Sequence, residues 1–177
     1  MKVSLTRNKE ELKEIYQLRV ACYEATAYAD KINAKQYPNG YQDSLDSSAH
    51  HFIVKQEGKI LAASRLCLVE NIQEIPFSEL FSGIESLPTG PVWFFSRLAV
   101  RYEYRGKGFK NLLDQARVSF LQKQPNKHPV LMIAKSWRIN SLEKLGAKVL
   151  GKVHIDNSSE YPFATDEPTY ILKLNIA

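Results

Sequence analysis

The clearest chemistry in this chain lies just after a strongly apolar run, in Arg101-Tyr102-Glu103-Tyr104-Arg105-Gly106-Lys107-Gly108-Phe109-Lys110. Two glycines let backbone N–H groups approach a ligand with no Cβ in between. An amphipathic run opens at once, with Phe109, Leu112, Leu113, Ala116 and Phe120 on one face. The first turn of such a helix carries N–H groups without intrahelical partners and the positive end of the helix dipole. Together these features make an anion site suited to phosphate, and Arg105, Lys107 and Lys110 add positive charge. The turn is not a P-loop, because the Gly-Lys-Ser/Thr ending is absent. Nor does it have the three spaced glycines of a dinucleotide fingerprint. On composition alone, the same turn also reads as a purely structural connection.

A second set of residues stands out because it interrupts apolar elements. Arg19 falls on the apolar stripe Leu12, Ile15, Tyr16, Cys22 and Tyr23. Arg65 and Arg97 each break an otherwise apolar strand pattern. A buried guanidinium is costly unless it is paired, so these three call for partners. Arg19 reads equally as a side chain snorkelling from the edge of its stripe. The two cysteines, Cys22 and Cys67, sit in apolar surroundings and read as buried free thiols. His50-His51 has no third ligand at a usual spacing, so no metal is expected. No Ser-His-Asp or Cys-His set follows from spacing.

These residues need elements to hold them. Val3–Arg7 alternates like a short strand. Asn8 caps a helix, with Glu11 at the capping-box position. Residues 30–48 read as a long polar loop with turn signals at Pro38-Asn39-Gly40 and from Asp43 to Ser48. A hairpin follows: His51–Lys55, the turn Gln56-Glu57-Gly58, and Lys59–Val69. A helical turn is expected near Pro76–Phe81, and Val92–Val100 is a buried strand. After the amphipathic helix, ended by Pro125 and Pro129, come the strand Val130–Ala134 and the helix Arg138–Leu145, which stops at Gly146. Lys148–Ile155 and Thr169–Leu174 close the chain as strands. The order predicts one α/β domain over residues 1–177: a mixed central sheet, parallel in its middle, flanked by helices.

Composition agrees. With 177 residues, 44% hydrophobic and 24% charged, the chain is long and apolar enough for a full core and excludes disordered, collagen-like and disulfide-scaffold classes. No apolar run reaches membrane-helix length, and the charged N-terminus does not read as a signal peptide, so a cytoplasmic protein is expected. The net charge of +5 favours anionic partners, but the basic residues are scattered, which argues against nucleic acid.

Leu98-Ala99-Val100 followed by Glu103-Tyr104-Arg105-Gly106-Lys107-Gly108-Phe109 resembles the acyl-CoA-binding motif of the GNAT N-acyltransferase superfamily, Arg/Gln-x-x-Gly-x-Gly/Ala. Lys110 stands where the motif ends in Gly or Ala, and Tyr102 where a proline is common. Asn140 and Leu145-Gly146-Ala147 resemble a later segment of the same superfamily. The N-terminal half is also similar to acyl-homoserine-lactone synthases and long-chain N-acyl-amino-acid synthases. The matching pieces are Leu18-Arg19-Val20-Ala21-Cys22-Tyr23, the acidic loop with Asp43 and Asp46, Arg65-Leu66, and Trp93-Phe94-Phe95-Ser96-Arg97.

The resemblance implies a GNAT-like single domain that moves an acyl group from acetyl-CoA or a longer acyl-CoA to a small-molecule amine. An acyl carrier protein is an alternative donor. Backbone amides of Arg105, Gly106, Lys107, Gly108, Phe109 and Lys110 would hold the pyrophosphate, and Asn140 would also serve the donor. Leu98, Ala99 and Val100 would pair with the pantetheine arm, and one of their N–H groups would polarise the thioester carbonyl. Asp43 and Asp46 become partners for Arg19, Arg65 and Arg97, either as a structural ion cluster or as a pocket for a charged acceptor.

The proton machinery departs from the resemblance. Phe94 stands where these synthases carry a glutamate, and Leu142 where many acetyltransferases carry a tyrosine. Candidates by type for the base are Glu70, His50, His51, Asp46 and Glu103, with Glu70 placed at the end of the second hairpin strand. Two other functions stay open: an autoinducer-like or N-acyl-amino-acid synthase, and a non-catalytic CoA-binding regulatory module.

Overall fold

A computed structural model describes residues 2–156 and 160–177. Seven strands form one mixed sheet: β1 (Val3–Thr6), β2 (His50–Gln56), β3 (Lys59–Val69), β4 (Val92–Val100), β5 (Val130–Lys135), β6 (Lys148–Val153) and β7 (Thr169–Leu174). Their order is β1-β2-β3-β4-β5-β7-β6. The pair β4–β5 is parallel, whereas β1–β2, β2–β3, β5–β7 and β6–β7 are antiparallel. Three α-helices are described: α1 (Lys9–Glu24), α2 (Phe109–Gln122) and α3 (Ser136–Glu143). The mixed sheet with its parallel pair in the middle is the predicted fold class.

The chain falls into two compact units that share elements. The first comprises residues up to Leu66 together with Arg97–Arg117. The second comprises Cys67–Ser96 and everything from Val118 onward.

In the first unit, α1 starts where Asn8 Oδ1 accepts from the N–H groups of Glu10 (2.9 Å) and Glu11 (3.2 Å). The expected capping box is only half made. Glu11 takes hydrogen bonds from the Thr6 hydroxyl and from Lys55 Nζ at 2.6 Å, and Asn8 N donates to Thr6 Oγ1 instead. Ion pairing thus draws the glutamate away from the cap. The β2–β3 turn is two residues long, Glu57 (φ 50°) and Gly58 (φ 81°), the left-handed pair that fits a tight hairpin. Gln56 pairs with Lys59 and belongs to the strand. The polar loop is fastened to α1 at Gly40, where Tyr41 N donates to Tyr16 O at 3.0 Å. A Cβ on Gly40 would lie 2.5 Å from Tyr16 Cβ, so only glycine permits this approach. The loop then makes one 3-10 turn, Ser44–Ser47.

In the second unit, Val92–Phe95, Val130–Met132 and Ile171–Leu172 are buried strand residues, and a further cluster joins Leu80, Ile155, Tyr161 and Ala164. Helix α3 begins directly after β5, two residues earlier than the sequence predicts, and ends where Gly146 (φ 95°) turns the chain. Strand β6 stops at Val153, because Ile155 turns into the apolar cluster instead of extending the ladder.

Candidate functional site

The first unit brings the five predicted cluster residues together. Arg19 forms a fork with Asp46: Nη1 to Oδ2 at 3.0 Å and Nη2 to Oδ1 at 2.9 Å. Its Nη1 also donates to Tyr41 O at 3.1 Å. Arg65 bridges both acids, at 2.6 Å from Asp43 Oδ1 and 2.9 Å from Asp46 Oδ2. Arg97 reaches Asp43 Oδ2 through Nη2 at 2.6 Å and packs its guanidinium over the Tyr41 ring.

Local structure explains why the acids stand there. Asp43 caps the 3-10 turn, accepting from Leu45 N at 3.0 Å, and Asp46 accepts from Asp43 N at 2.9 Å. The capping box that shapes the loop is therefore also the acidic half of the ion cluster. Arg19 does not snorkel: its side chain is 0% exposed, as is that of Arg65, whereas Arg97 is 11% exposed. Arg97 and Asp43, the latter 15% exposed, form the edge of the cluster that meets solvent.

Burial works against ionising Asp43, but the Arg97 and Arg65 guanidiniums outweigh it and hold the carboxyl well below the usual range. Arg19 and Arg65 do the same for Asp46 against its burial. Three guanidiniums thus converge on two carboxylates.

His51, also named from sequence as a base candidate, joins this cluster. Its Nε2 lies 3.3 Å from Asp46 O, and its Nδ1 is buried without a hydrogen-bond partner. Burial, reinforced by Arg19, pushes the imidazole down to about 4. In the unfolded chain it takes up a proton near 6.5. Between these values the unfolded state binds more protons, so stability present above pH 6.5 is lost as pH falls toward 4. His51→Gln is expected to remove that loss while leaving the steeper one below about pH 4, which belongs to Asp43 and Asp46. Urea titrations of both proteins at about pH 7 and about pH 5 measure the difference. Equal losses would exonerate His51.

The glycine turn lies in the same unit. A 3-10 turn, Tyr102–Tyr104, leads from β4 to Arg105; Gly106 has φ 77° and Gly108 φ 82°. A Cβ built on either glycine meets nothing within 4 Å, so the backbone faces open space. Gly108 O accepts from Leu112 N at 3.1 Å, which starts α2. Phe109 is buried and stacked on Tyr104, and Lys107 Nζ lies over the Tyr104 ring at 4.7 Å. Lys110 is half-buried.

The side chain of Arg105 has a task beyond charge: Nη2 donates to Cys22 O at 3.2 Å and so ties the turn to the end of α1. Arg101 anchors the other side, with Nε on Ile60 O at 2.7 Å. Sequence reasoning missed both tethers, because a carbonyl acceptor leaves no mark in residue types. The Cys22 thiol is buried, outside any disulfide, and pushed up to about 11 by that burial; Cys67 is also buried and outside any disulfide.

Strand β4 delivers both features. Trp93–Phe95 pair in parallel with Val130–Met132. Arg97 then adopts φ 52°, a left-handed conformation uncommon in a non-glycine residue. Ser96, Arg97 and Leu98 are half-buried after four buried residues, Ala99 is buried again, and Val100 is half-buried.

The remaining sequence candidates lie elsewhere. Glu70 is exposed in the bend after β3, Glu103 is exposed in the 3-10 turn, and Asn140 is exposed on α3. Phe94 and Leu142 are buried apolar side chains that cannot exchange protons. Among the described residues, no group of His, Cys, Asp or Glu is arranged to hold a metal, and no helix is long and apolar enough to cross a membrane.

No protein-family model and no curated protein matches the sequence. Solved structures do match. The CoA-dependent acyl-homoserine lactone synthase BjaI superposes with a TM-score of 0.72 at 17% identity, over 96% of this chain and 78% of that one. The acyl-homoserine lactone synthase LasI gives 0.72 at 16%, over 99% and 89%. An acyl-CoA N-acyltransferase from Pseudomonas aeruginosa gives 0.65 at 18%, over 97% of each chain. The chain has the GNAT fold. Within the GNAT fold, the ion cluster and the glycine turn both belong to the first unit, carried on α1, β3, the far end of β4 and the polar loop.

Proposed function

We propose that this protein is an N-acyltransferase that takes its acyl group from acyl-CoA and delivers it to an amine. The observation that carries this reading is the turn. Two glycines with positive φ open onto empty space at the start of an α-helix, one 3-10 turn beyond a strand and among the cationic side chains of Arg105, Lys107 and Lys110. Backbone N–H groups at Gly106–Lys110 would take the pyrophosphate there. Arg105 and Arg101 hold the turn in shape by carbonyl hydrogen bonds, so the cradle is preformed. Leu98–Val100 would lie beside the pantetheine arm.

The cluster supports a finer reading. Arg19 and Arg65 are sealed, so Arg97 and Asp43, at the rim, are the cluster members that can meet an acceptor. An amino acid, which carries both a carboxylate and an ammonium, fits this mixed rim and would give an N-acyl-amino-acid product.

Thermal shift with acetyl-CoA, a long-chain acyl-CoA and no ligand tests donor binding. Release of free CoA thiol in the presence of amino acids and simple amines tests transfer. Stabilisation by acyl-CoA with thiol release is the expected result. Stabilisation without release from any amine supports the non-catalytic module, and release only from an acyl carrier protein moves the donor to that protein. No stabilisation by any CoA compound refutes the reading.

A further inference from the structure

Arg97 keeps a backbone conformation that its residue type disfavours. The non-glycine residues described with positive φ are Glu57, Phe77, Ser86 and Arg97, and of these Arg97 alone lies inside a strand. A left-handed L-residue brings its Cβ too close to the following carbonyl oxygen, whereas glycine takes either sign of φ freely. Such a conformation persists only where the surroundings over-determine it.

The side chain of Arg97 supplies that hold. Its Nε and Nη2 both donate to Asp43 Oδ2, at 3.2 and 2.6 Å, and its guanidinium carbon lies 5.0 Å from the centre of the Tyr41 ring. Both partners are themselves anchored. Asp43 is gripped by Arg65 at 2.6 and 3.1 Å. Tyr41 N donates to Tyr16 O at 3.0 Å, and Tyr41 O accepts from Arg19 Nη1 at 3.1 Å.

The consequence falls on the three residues that follow. A left-handed residue bends its strand and redirects the peptides beyond it, a place that bulges ordinarily give to glycine. Leu98–Val100 take that new course and are caught at the far end by Arg101. Its N–H donates to Leu61 O at 2.9 Å and its Nε to Ile60 O at 2.7 Å. The stretch that would lie beside the pantetheine arm is therefore strung between two arginines, one tied to the acidic loop and one to β3. Arg97–Arg101 and the residues that tie them all belong to the first unit.

We propose that Arg97 is a positioning residue for the acyl donor: its ties to Asp43 and Tyr41 hold the left-handed backbone that aims Leu98–Val100 at the pantetheine arm. The inference rests on the acyl-CoA reading. It gives the ion cluster a task on the donor side as well as at the acceptor rim. Without the side chain, residue 97 returns to extended backbone, and the strand conformation that binds the donor becomes a minor state.

Arg97→Ala and Arg97→Gly separate the backbone from the ion pair, because both remove the same guanidinium and leave Asp43 to Arg65. Positive φ is disfavoured by a factor of about 5–30 for a residue with a Cβ. Apparent affinity falls with the fraction of chains in the competent conformation. Calorimetry with acetyl-CoA should therefore show binding about 5–30-fold weaker in Arg97→Ala, and Arg97→Gln should weaken in the same way. Glycine populates both signs of φ about equally, so Arg97→Gly should stay within about twofold of wild type. A side chain that served stability alone would shift the melting temperatures and leave all the affinities equal. Equal affinity in wild type and variants, or an equal loss in Arg97→Ala and Arg97→Gly, overturns the positioning role while the acyl-CoA reading stands. No binding of acetyl-CoA by the wild type overturns that reading and this inference with it.

Discussion

Gly108→Val should abolish measurable acyl-CoA binding and leave the protein folded. The new side chain meets no protein atom, because a Cβ on Gly108 has nothing within 4 Å. It would instead occupy the space over the turn that the pyrophosphate needs. Hydrogen bonds to charged groups contribute about 1.5–3 kcal/mol each. Displacing two of them lowers affinity by a factor of about 10²–10⁴. The cost to the fold is the left-handed backbone alone, about 1–2 kcal/mol. Gly58→Val is a matched control: Gly58 has φ +81° against +82° for Gly108, and its Cβ also meets nothing within 4 Å. Calorimetry should show lost binding in Gly108→Val and normal binding in Gly58→Val, with similar melting temperatures. Wild-type affinity in Gly108→Val would remove the turn from the donor site.

The largest loss of stability is expected from Arg65→Met. Arg65 is fully buried and is the one guanidinium that touches both Asp43 and Asp46. Removing it leaves two carboxylates short of a buried partner, which costs about 3–5 kcal/mol. Arg97→Met should cost less, about 1–2 kcal/mol, because Asp43 keeps its two contacts to Arg65 and the site is open at its edge. Denaturant titrations of the two variants measure the ratio. Equal losses would mean that Arg97 matters as much to the sealed part of the cluster as to its rim. Turnover should show the opposite order if Arg97 meets the acceptor, falling in Arg97→Met beyond what its stability explains.

Most of the architecture was legible because it follows from local pattern. The alternation in β2 and β3, the apolar face of α2, the glycine after α3 and the two-glycine turn are all written within a few residues of where they act. The five-residue cluster was also legible: a guanidinium on an apolar stripe demands a carboxylate, and the resemblance to the synthases supplied Asp43 and Asp46. Its division into two sealed arginines and one at the edge was not, because exposure depends on how the loop at Gly40 closes on α1. The tethers from Arg105 to Cys22 O and from Arg101 to Ile60 O were invisible for a different reason: every residue has a carbonyl. Glu70, a base candidate by residue type and place after a strand, lies exposed in a bend, because residue type says nothing about what a side chain faces.

The two compact units are woven from alternate stretches of one chain, and this governs how the protein can be made. The boundaries fall inside β3, inside β4 and inside α2, between Leu66 and Cys67, Ser96 and Arg97, and Arg117 and Val118. On the ribosome, Arg19, Asp43, Asp46 and Arg65 all emerge before the stretch 67–96, and Arg97 only after it. The first unit thus waits with an unfinished charge cluster through thirty residues of the other unit's chain. Neither unit is a contiguous stretch of gene, and no single crossover could graft one onto another protein. A recombination point at any of the three boundaries would sever a strand or a helix. The exposed bend at Glu57-Gly58 is a gentler place to open the chain, since it interrupts no element of either unit.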